Sequence, residues 1–271
     1  MDRYVVIGNP VSHSLSPAIH ARFARQAREA IEYSTLAVPD GQFALFARRF
    51  FDEGGAGANV TLPFKIDAFQ WADARTPRAE IAGAANFLIA RSGRVEADNT
   101  DGAGLVADLA VNLRKDLGAS AILVLGAGGA VRGVLAPLLE ARPRRVVIAN
   151  RTVERARALA ASFAALGPVE AASLDAIPRE DFDLVLNATS ASTRGEVLEL
   201  PRGAMRAGAL AYDMAYGPAA RPFVEGARAL GLEATDGLGM LVEQAAESFR
   251  LWRGVRPETA AILAELRARP A

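Results

Sequence analysis

An apolar run that ends in a glycine-rich turn constrains the fold of this chain most. Residues 121–129 read Ala-Ile-Leu-Val-Leu-Gly-Ala-Gly-Gly. A helix-like apolar run follows over 131–139, and a second strand-like run covers 145–149. Strand, glycine turn, helix and strand in this order predict a βαβ unit of the kind that binds a dinucleotide.

Each glycine of the turn has a physical reason. Gly126 permits a sharp exit from the strand, and Gly128 lets backbone N–H groups approach a pyrophosphate at the positive end of the next helix. The usual third glycine would fall at Val131, so we expect Gly129 and Ala130 to provide the close packing of helix on sheet. Similar turns occur without any ligand, so the motif indicates a dinucleotide only together with the residues around it.

The end of the second strand indicates which dinucleotide is bound. A free ribose 2′-hydroxyl calls for an acidic residue there, whereas a 2′-phosphate calls for arginine. The chain reads Asn150-Arg-Thr152, with Arg155 one turn later. Guanidinium groups can grip a phosphate, and Asn150 and Thr152 can donate to it. The pattern therefore favours NADP over NAD. Arg151 is the expected main contact, while Arg155 and Arg157 are equally compatible with solvated helix positions.

Composition excludes several other classes of protein. Lys plus Arg and Asp plus Glu both number 31, so bulk charge indicates neither a nucleic acid nor a membrane as partner. Cysteine is absent, which excludes disulfides and thiolate chemistry, and two histidines make a metal site unexpected. We find no leader-like start and no long apolar run, so a cytoplasmic protein, monomeric or homodimeric, is expected.

Strands and helices alternate along the chain. In the N-terminal part this predicts a mostly parallel sheet, with these elements: strand 4–8, helix 17–29 capped by Ser16, strand 33–38, a helix ending at 51, strand 58–62, and a hairpin of 87–90 with 94–97. A helix over 103–117 then leads to the glycine-rich unit. The strands from 121 onward make up the six of a doubly wound, Rossmann-type sheet.

The fold class predicted is therefore α/β with two domains. One domain covers 1–101 and is completed by helices within 238–271, because the second sheet is already full. The other covers 102–237 and carries the dinucleotide.

Polar side chains gather where the predicted strands of the first domain end. They are Ser14, Ser16, Asn59, Thr61, Lys65, Asn86, Asn99 and Asp101. Because strand ends border the ligand crevice in open α/β sheets, these groups could converge on one polyhydroxylated substrate. Ser16 could instead be only a helix cap and Thr61 only a strand residue. Lys65 could be a surface lysine, or its partner could be Asp101.

Taken together, the motifs resemble the shikimate dehydrogenase family over nearly the whole chain and in the family's order. They are Ser14-Leu-Ser16, Asn59-Val-Thr-Leu-Pro-Phe-Lys65, Asn99-Thr-Asp-Gly102, Gly126-Ala-Gly-Gly-Ala130, Asn150-Arg-Thr152, Asn187-Ala-Thr-Ser190 and Gly237-Leu-Gly-Met-Leu-Val-Glu-Gln244. The resemblance implies a reversible, NADP(H)-linked reduction of 3-dehydroshikimate to shikimate, a step of aromatic (chorismate) biosynthesis. It also implies that domain 1–101 binds the substrate.

The resemblance implies roles for individual residues. Lys65 and Asp101 would be the catalytic pair, Ser14 and Ser16 would hold the substrate carboxylate, and the remaining substrate contacts would be Thr61, Asn86, Tyr216 and Gln244. The cofactor would be held by Gly126, Ala127, Gly128, Gly129, Ala130, Asn150, Arg151, Thr152, Arg155, Thr189, Met214 and Gly237.

These residue types suit the chemistry independently. A hydride that arrives at a ketone carbon leaves an alkoxide, which needs a proton. Lys65 could donate it, or could stabilise the oxyanion as a cation while water relays the proton. Asp101 would orient the ammonium and accept a hydrogen bond from a substrate hydroxyl. Which group moves the proton stays open from the sequence.

Two positions depart from the family pattern. Phe87 stands where a threonine is usual, so the strand leaving Asn86 could sit differently, and Ser192 stands where a glycine is common. The nearest rival is a quinate/shikimate dehydrogenase that uses NAD. Methylenetetrahydrofolate dehydrogenase shares the two-domain plan but does not suit the serine pair. A non-catalytic paralogue that binds shikimate or NADP is the alternative from another class of protein.

Overall fold

Strand and helix alternate through the chain, as the apolar runs and turn residues require. The computed structural model describes residues 1–179, 181–189, 200 and 203–268. Backbone contacts divide it into two units, one of Met1–Gly104 and the chain from Leu241 onward, the other of Leu105–Met240.

The first unit is built on a six-stranded sheet in the order β2-β1-β3-β5-β6-β4. Its elements are β1 (Asp2–Gly8), α1 (Ser16–Ala27), β2 (Ile31–Ala37), α2 (Phe43–Asp52), β3 (Gly55–Val60), α3 (Lys65–Trp71), β4 (Ala74–Arg75), α4 (Pro77–Ala82), β5 (Phe87–Arg91), β6 (Arg94–Asp98) and the start of α5 (Asp101–Ala107). Strands β1, β2 and β3 are parallel, and so are β4 and β6. The predicted mostly parallel sheet is therefore confirmed.

The direction of the strands decides where the polar residues lie. Strand β5 is antiparallel to both β3 and β6, with Phe87 paired to Asn59 on one side and to Asp98 on the other. The start of β5 therefore lies at the same edge of the sheet as the ends of β1, β3 and β6. Residues that precede β5 or follow the other strands meet at this edge.

The second unit carries the doubly wound sheet, in the order β12-β11-β10-β7-β8-β9. Its elements are β7 (Ala121–Leu125), α6 (Gly129–Glu140), β8 (Arg145–Asn150), α7 (Val153–Phe163), β9 (Val169–Ser173), β10 (Phe182–Asn187), β11 (Met205–Asp213), α8 (Arg221–Ala229) and β12 (Glu233–Thr235). Every neighbouring pair is parallel. Numbered within the unit, the order is 3-2-1-4-5-6, as in dinucleotide-binding sheets, so the predicted Rossmann-type fold is confirmed.

The last two helices are α9 (Leu238–Arg253) and α10 (Ala260–Arg267). From Leu241 onward they belong to the first unit. Trp252 of α9 donates its indole N–H to the carbonyl of Leu88 in β5, at 3.2 Å. Gly57 makes room for this ring, because a Cβ there would lie 2.3 Å from Trp252 Nε1.

The helix expected over 103–117 is confirmed only in its first part: α5 ends at Ala107, a wider π-helical turn covers Asp108–Asn112, and the helix does not reach residue 117. This turn contains a fully buried carboxylate, Asp108, which accepts hydrogen bonds from Tyr212 Oη at 2.7 Å and Asn112 Nδ2 at 2.9 Å. The structure also contains β4 and α4, which were not predicted, although Thr76 followed by Pro77 is a helix-start signal.

Among the described residues, none of the helices is both long and apolar enough to cross a membrane.

Candidate active site

The pair Lys65 and Asp101 is the centre of the polar cluster in the first unit. Lys65 opens α3 and Asp101 opens α5, and Lys65 Nζ lies 2.5 Å from Asp101 Oδ2. The two side chains are only 19% and 7% exposed. Lys65 is therefore a partly buried member of an ion pair, and the surface-lysine alternative is wrong.

Asn99 fixes the backbone that presents Asp101. Its Oδ1 accepts the Asp101 N–H at 3.1 Å, and its Nδ2 donates to the carbonyl of Ala84 at 3.0 Å. Such a side-chain turn satisfies an N–H group at the start of α5 and sets the direction of the helix. Asn99 is buried, so its part is to shape the loop.

Asn86 links the ion pair to α9. Its Nδ2 lies 2.8 Å from Asp101 Oδ1, 2.9 Å from Thr100 Oγ1 and 3.3 Å from Gln244 Oε1. Asp101 thus accepts from Asn86 on one oxygen and from Lys65 on the other. The structure brings Lys65, Asn86, Asp101 and Gln244 into one connected cluster.

The serine motif lies in the loop that leaves β1. Ser14 Oγ accepts the backbone N–H of Ser16 at 3.2 Å. The expectation that Ser16 caps α1 is wrong, because Leu15 occupies the N-cap position and Ser16 is already the first helical residue, buried against the unit. Thr61 follows β3 on the same edge of the sheet, and a Cβ on Gly8 would lie 2.5 Å from its methyl carbon.

Sequence reasoning missed two residues of this cluster, Thr100 and Ser248. Thr100 Oγ1 and Ser248 Oγ are 3.2 Å apart and both residues are fully buried. Ser248 lies four residues after Gln244, so both share one face of a helix, which is a signal that the sequence contained. Asn59, one of the polar residues expected at the strand ends, donates to Ser248 Oγ at 2.9 Å and accepts from Tyr33 Oη at 2.8 Å.

The departure at Phe87 leaves the strand regular. Phe87 pairs in regular register with Asn59 on one side and Asp98 on the other. Its buried ring stacks on Trp252 at a centroid distance of 5.1 Å. The other departure, Ser192, and Ser190 lie outside the described residues.

His20 lies in an aromatic cluster beside this network. Its ring stacks on Tyr33 with centroids 4.2 Å apart and also meets Trp252. Burial lowers the pKa of His20 to about 3, and the nearby polar side chain of Asn59 opposes this only in part. His20 is therefore neutral in the folded protein near neutral pH.

This burial predicts a pH-dependent stability. Below its ordinary pKa of 6.5 the unfolded chain binds a proton at His20, whereas the folded chain does so only near pH 3. The contribution to stability is complete above that ordinary pKa and is lost as pH falls. Between about pH 7.5 and about pH 5.5 we expect the free energy of unfolding to drop by about 1.4 kcal/mol.

Urea unfolding at the two pH values measures this drop. His20→Phe should remove most of it, while His13→Phe, at an exposed position, should leave it in place. An equal drop in wild type and His20→Phe would contradict the assignment.

In the second unit, the glycine turn joins β7 to α6. Gly126 has φ +109°, a conformation that only glycine adopts readily, and a Cβ there would lie 3.1 Å from the carbonyl of Ala188. Gly128 is the N-cap of α6 and provides no side-chain cap, and a Cβ on Gly128 or Gly129 would meet no atom within 4 Å. The start of this helix is thus left open to an anion.

The packing role expected of Gly129 is wrong. The space around its missing Cβ is open, so no close contact with the sheet depends on it. Val131 instead faces inward, fully buried in the core of this unit. Helix α6 therefore packs on the sheet through a valine where the usual motif has glycine.

The predicted phosphate contacts lie beside this turn. The N–H of Gly126 donates to the carbonyl of Ala149 in β8 at 2.8 Å, so the glycine turn and the end of β8 are neighbours. Asn150 Nδ2 donates to the carbonyl of Thr152 at 2.8 Å, which closes the loop that presents Arg151. Arg151 and Arg155 are exposed.

The other predicted cofactor contacts follow β10 and β11 at the same edge. Thr189 Oγ1 donates to Asn187 Oδ1 at 2.8 Å, and Asn187 Nδ2 donates to Asp213 Oδ2 at 2.9 Å. Gly237 packs tightly, since a Cβ there would lie 2.5 Å from the carbonyl oxygen of Met214. Tyr216 also belongs to this unit and is half-buried, so its contact with substrate stays a prediction.

Comparison with known proteins identifies one family along the chain. Three family models match: the shikimate dehydrogenase substrate binding domain over residues 6–88, shikimate / quinate 5-dehydrogenase over 108–206, and the shikimate 5′-dehydrogenase C-terminal domain over 237–267. Shikimate dehydrogenase (NADP(+)) of Alkalilimnicola ehrlichii is 54% identical, covering 98% of both chains. That of Aromatoleum aromaticum is 53% identical, covering 98% of this chain and 97% of its own.

Solved structures give the same result. Shikimate 5-dehydrogenase from Thermus thermophilus, in complex with NADP(H) and shikimate, superposes with a TM-score of 0.86 at 34% identity, covering 98% of this chain and 99% of its own. An Ael1 enzyme from Pseudomonas putida gives a TM-score of 0.89 at 44% identity, covering 98% of both. The chain therefore belongs to the shikimate dehydrogenase family.

Proposed function

We propose that the chain catalyses the reversible, NADP(H)-linked reduction of 3-dehydroshikimate to shikimate, in the pathway to chorismate and the aromatic amino acids. The observation that carries this proposal is the ion pair of Lys65 and Asp101, held by Asn86 in a polar cluster with Gln244. The curated relatives named above, at about half identity over their whole length, are NADP(+) enzymes of this kind.

The first unit supplies the substrate contacts in this proposal. Lys65 and Asp101 act at the oxygen of the reacting carbonyl, and the hydroxyl groups of Ser14 and Ser16 hold the carboxylate. Asn86, Gln244 and Thr61 bind the ring hydroxyls, and Tyr216 is a further predicted contact. Amide and hydroxyl groups suit such a ligand because each can donate and accept.

The second unit fits NADP in two respects. The open, uncapped start of α6 after Gly128 suits a pyrophosphate. Arg151, at the end of the neighbouring strand, suits the 2′-phosphate, with support from Asn150, Thr152 and Arg155. The remaining contacts would come from Ala127, Gly129, Ala130, Thr189, Met214 and Gly237. When bound, NADPH supplies the hydride.

Lys65 neutralises or stabilises the negative charge that develops on the substrate oxygen. Reduction of the ketone leaves an alkoxide, and an ammonium group beside it either donates the proton or stabilises the anion while water delivers the proton. Both routes need Lys65 Nζ at the reacting oxygen. Asp101 holds that ammonium through Oδ2 and accepts a hydrogen bond from a substrate hydroxyl. In the oxidation the same two routes run backwards: the reacting hydroxyl gives its proton to neutral Lys65, or to water beside the Lys65 ammonium, as the hydride leaves for NADP.

One assay tests the proposed function. Purified protein is followed at the reduced-nicotinamide absorbance band with shikimate or quinate and NADP or NAD, in all four pairings. We expect a signal mainly with shikimate and NADP. A preference for quinate or NAD would assign the chain to the quinate/shikimate subfamily. If no pairing changes the absorbance although shikimate or NADP still binds, the protein is a non-catalytic paralogue.

A further inference from the structure

We propose that Thr100 and Ser248 are positioning residues, which act through Asn86 to hold the pair Lys65 and Asp101 in its arrangement. The inference deepens the proposed function and rests on it. Neither residue is among the substrate or cofactor contacts assigned above. The argument follows the hydrogen bonds outward from Asn86.

Thr100 holds both ends of the Asn86 amide. Its backbone N–H donates to Asn86 Oδ1 at 2.7 Å, and its Oγ1 accepts from Asn86 Nδ2 at 2.9 Å. The donor end of the amide therefore faces Asp101 Oδ1, at 2.8 Å. A flipped amide would turn its oxygen toward the carboxylate and its NH2 group toward an N–H group, which are repulsive contacts.

Ser248 holds Thr100 in turn. Ser248 Oγ donates to the carbonyl of Gln244 at 2.9 Å and accepts from Asn59 Nδ2 at 2.9 Å. Thr100 Oγ1 lies 3.2 Å from Ser248 Oγ, 3.2 Å from Asn86 Oδ1 and 3.4 Å from Gln244 Oε1, so three acceptors surround its single proton. Whichever acceptor takes that proton, a lone pair of Thr100 Oγ1 stays available to Asn86 Nδ2, which donates to it at 2.9 Å.

Asn59 connects the hydrogen-bonded residues Asn86 and Ser248 to the sheet. Its Nδ2 also donates to the backbone carbonyl of Asn86 at 3.3 Å, and its Oδ1 accepts from Tyr33 Oη at 2.8 Å. Strands β2 and β3, helix α9 and the loop before β5 are thereby joined. Buried networks in which every member is satisfied select one arrangement and resist rotation.

Thr100→Val tests the inference, because valine keeps the shape and the backbone N–H but removes the oxygen. We expect kcat/KM for shikimate to fall about tenfold, since small misplacement of reacting groups is costly, with the KM for NADP unchanged. Thr100→Ser should restore most of the loss. Thr259→Val is the matched control: it removes another threonine hydroxyl of the same unit, bonded to Glu243 at 2.6 Å, and should keep full turnover.

A double-mutant cycle separates positioning from general stability. If Thr100 acts through Asn86, Thr100→Val added to Asn86→Ala should cause little further loss of kcat/KM. Full additivity, or unchanged kcat/KM in Thr100→Val, would overturn the inference. Should Thr100→Val fold poorly, Ser248→Ala enters the same cycle with the same expectations.

A measurement without turnover keeps the two proposals distinct. In 15N-labelled protein, the Asn86 side-chain NH2 signals, assigned by their absence in Asn86→Ala, should be slow to exchange in wild type and fast in Thr100→Val. Equal hydrogen-exchange rates of the Asn86 NH2 group in wild type and Thr100→Val would overturn the positioning inference, even if the enzyme is active. Inactivity of wild type in the four-pairing assay would instead count against the proposed function alone.

Discussion

Lys65→Ala is expected to lower turnover of shikimate about 100-fold or more while the affinity for NADP stays nearly unchanged. The substitution removes the only ammonium that contacts Asp101 in the described cluster, at 2.5 Å, and leaves the alkoxide without its partner. The predicted cofactor contacts lie in the other unit, so binding of NADP is spared. Steady-state kinetics with shikimate and NADP, together with titration of NADP, measure both effects.

The control for this variant is Lys115→Ala. Lys115 forms an ion pair of the same length, 2.5 Å, with Glu233 in the second unit, and its loss should leave turnover intact. Lys65→Met, which retains most of the aliphatic stem, should be as slow as Lys65→Ala and guards against a packing defect. Near-normal turnover in both Lys65 variants would remove this residue from the mechanism.

Arg151→Ala is expected to weaken NADP binding about tenfold or more and to leave NAD binding unchanged. A charge-assisted bond between guanidinium and phosphate contributes roughly 1.5–3 kcal/mol, and only NADP carries the 2′-phosphate. Arg151 directly follows β8, whose carbonyl at Ala149 accepts from Gly126, so it lies beside the glycine turn. The KM for each cofactor, measured with saturating shikimate, gives the selectivity.

Arg157→Ala is the matched control. Arg157 is an exposed arginine of α7, the helix that follows Arg151; its guanidinium lies 3.8 Å from the Glu154 carboxylate, and its removal should change neither KM. Arg155→Ala should fall between the two if Arg155 shares the phosphate. Equal losses for NADP and NAD in Arg151→Ala would show that this side chain does not read the phosphate.

Several features of the protein were determined by its sequence alone. The run 121–129 predicts strand, glycine turn and helix, because apolar runs and glycines set the backbone conformation of a few neighbouring residues. The same local signals predict six strands of a doubly wound sheet, which the structure contains. They also place Lys65 and Asp101 directly after strands. Even so, two local expectations are wrong: Ser16 does not cap α1, because the helix already begins at Ser16, and Gly129 does not provide close packing, because no atom lies within 4 Å of its missing Cβ.

Only the tertiary structure decided which of these polar residues meet. Lys65 and Asp101 are 36 positions apart, Asn86 and Gln244 are 158 apart, and Thr100 and Ser248 are 148 apart. Their contacts arise because β5 runs antiparallel between β3 and β6 and because α9 returns to this sheet, as Trp252 shows at Leu88. The sequence predicted that the last helices return to the first domain, but periodicity does not show which of their side chains meet which strand ends. The buried support behind Asn86 was therefore visible only once the chain was folded.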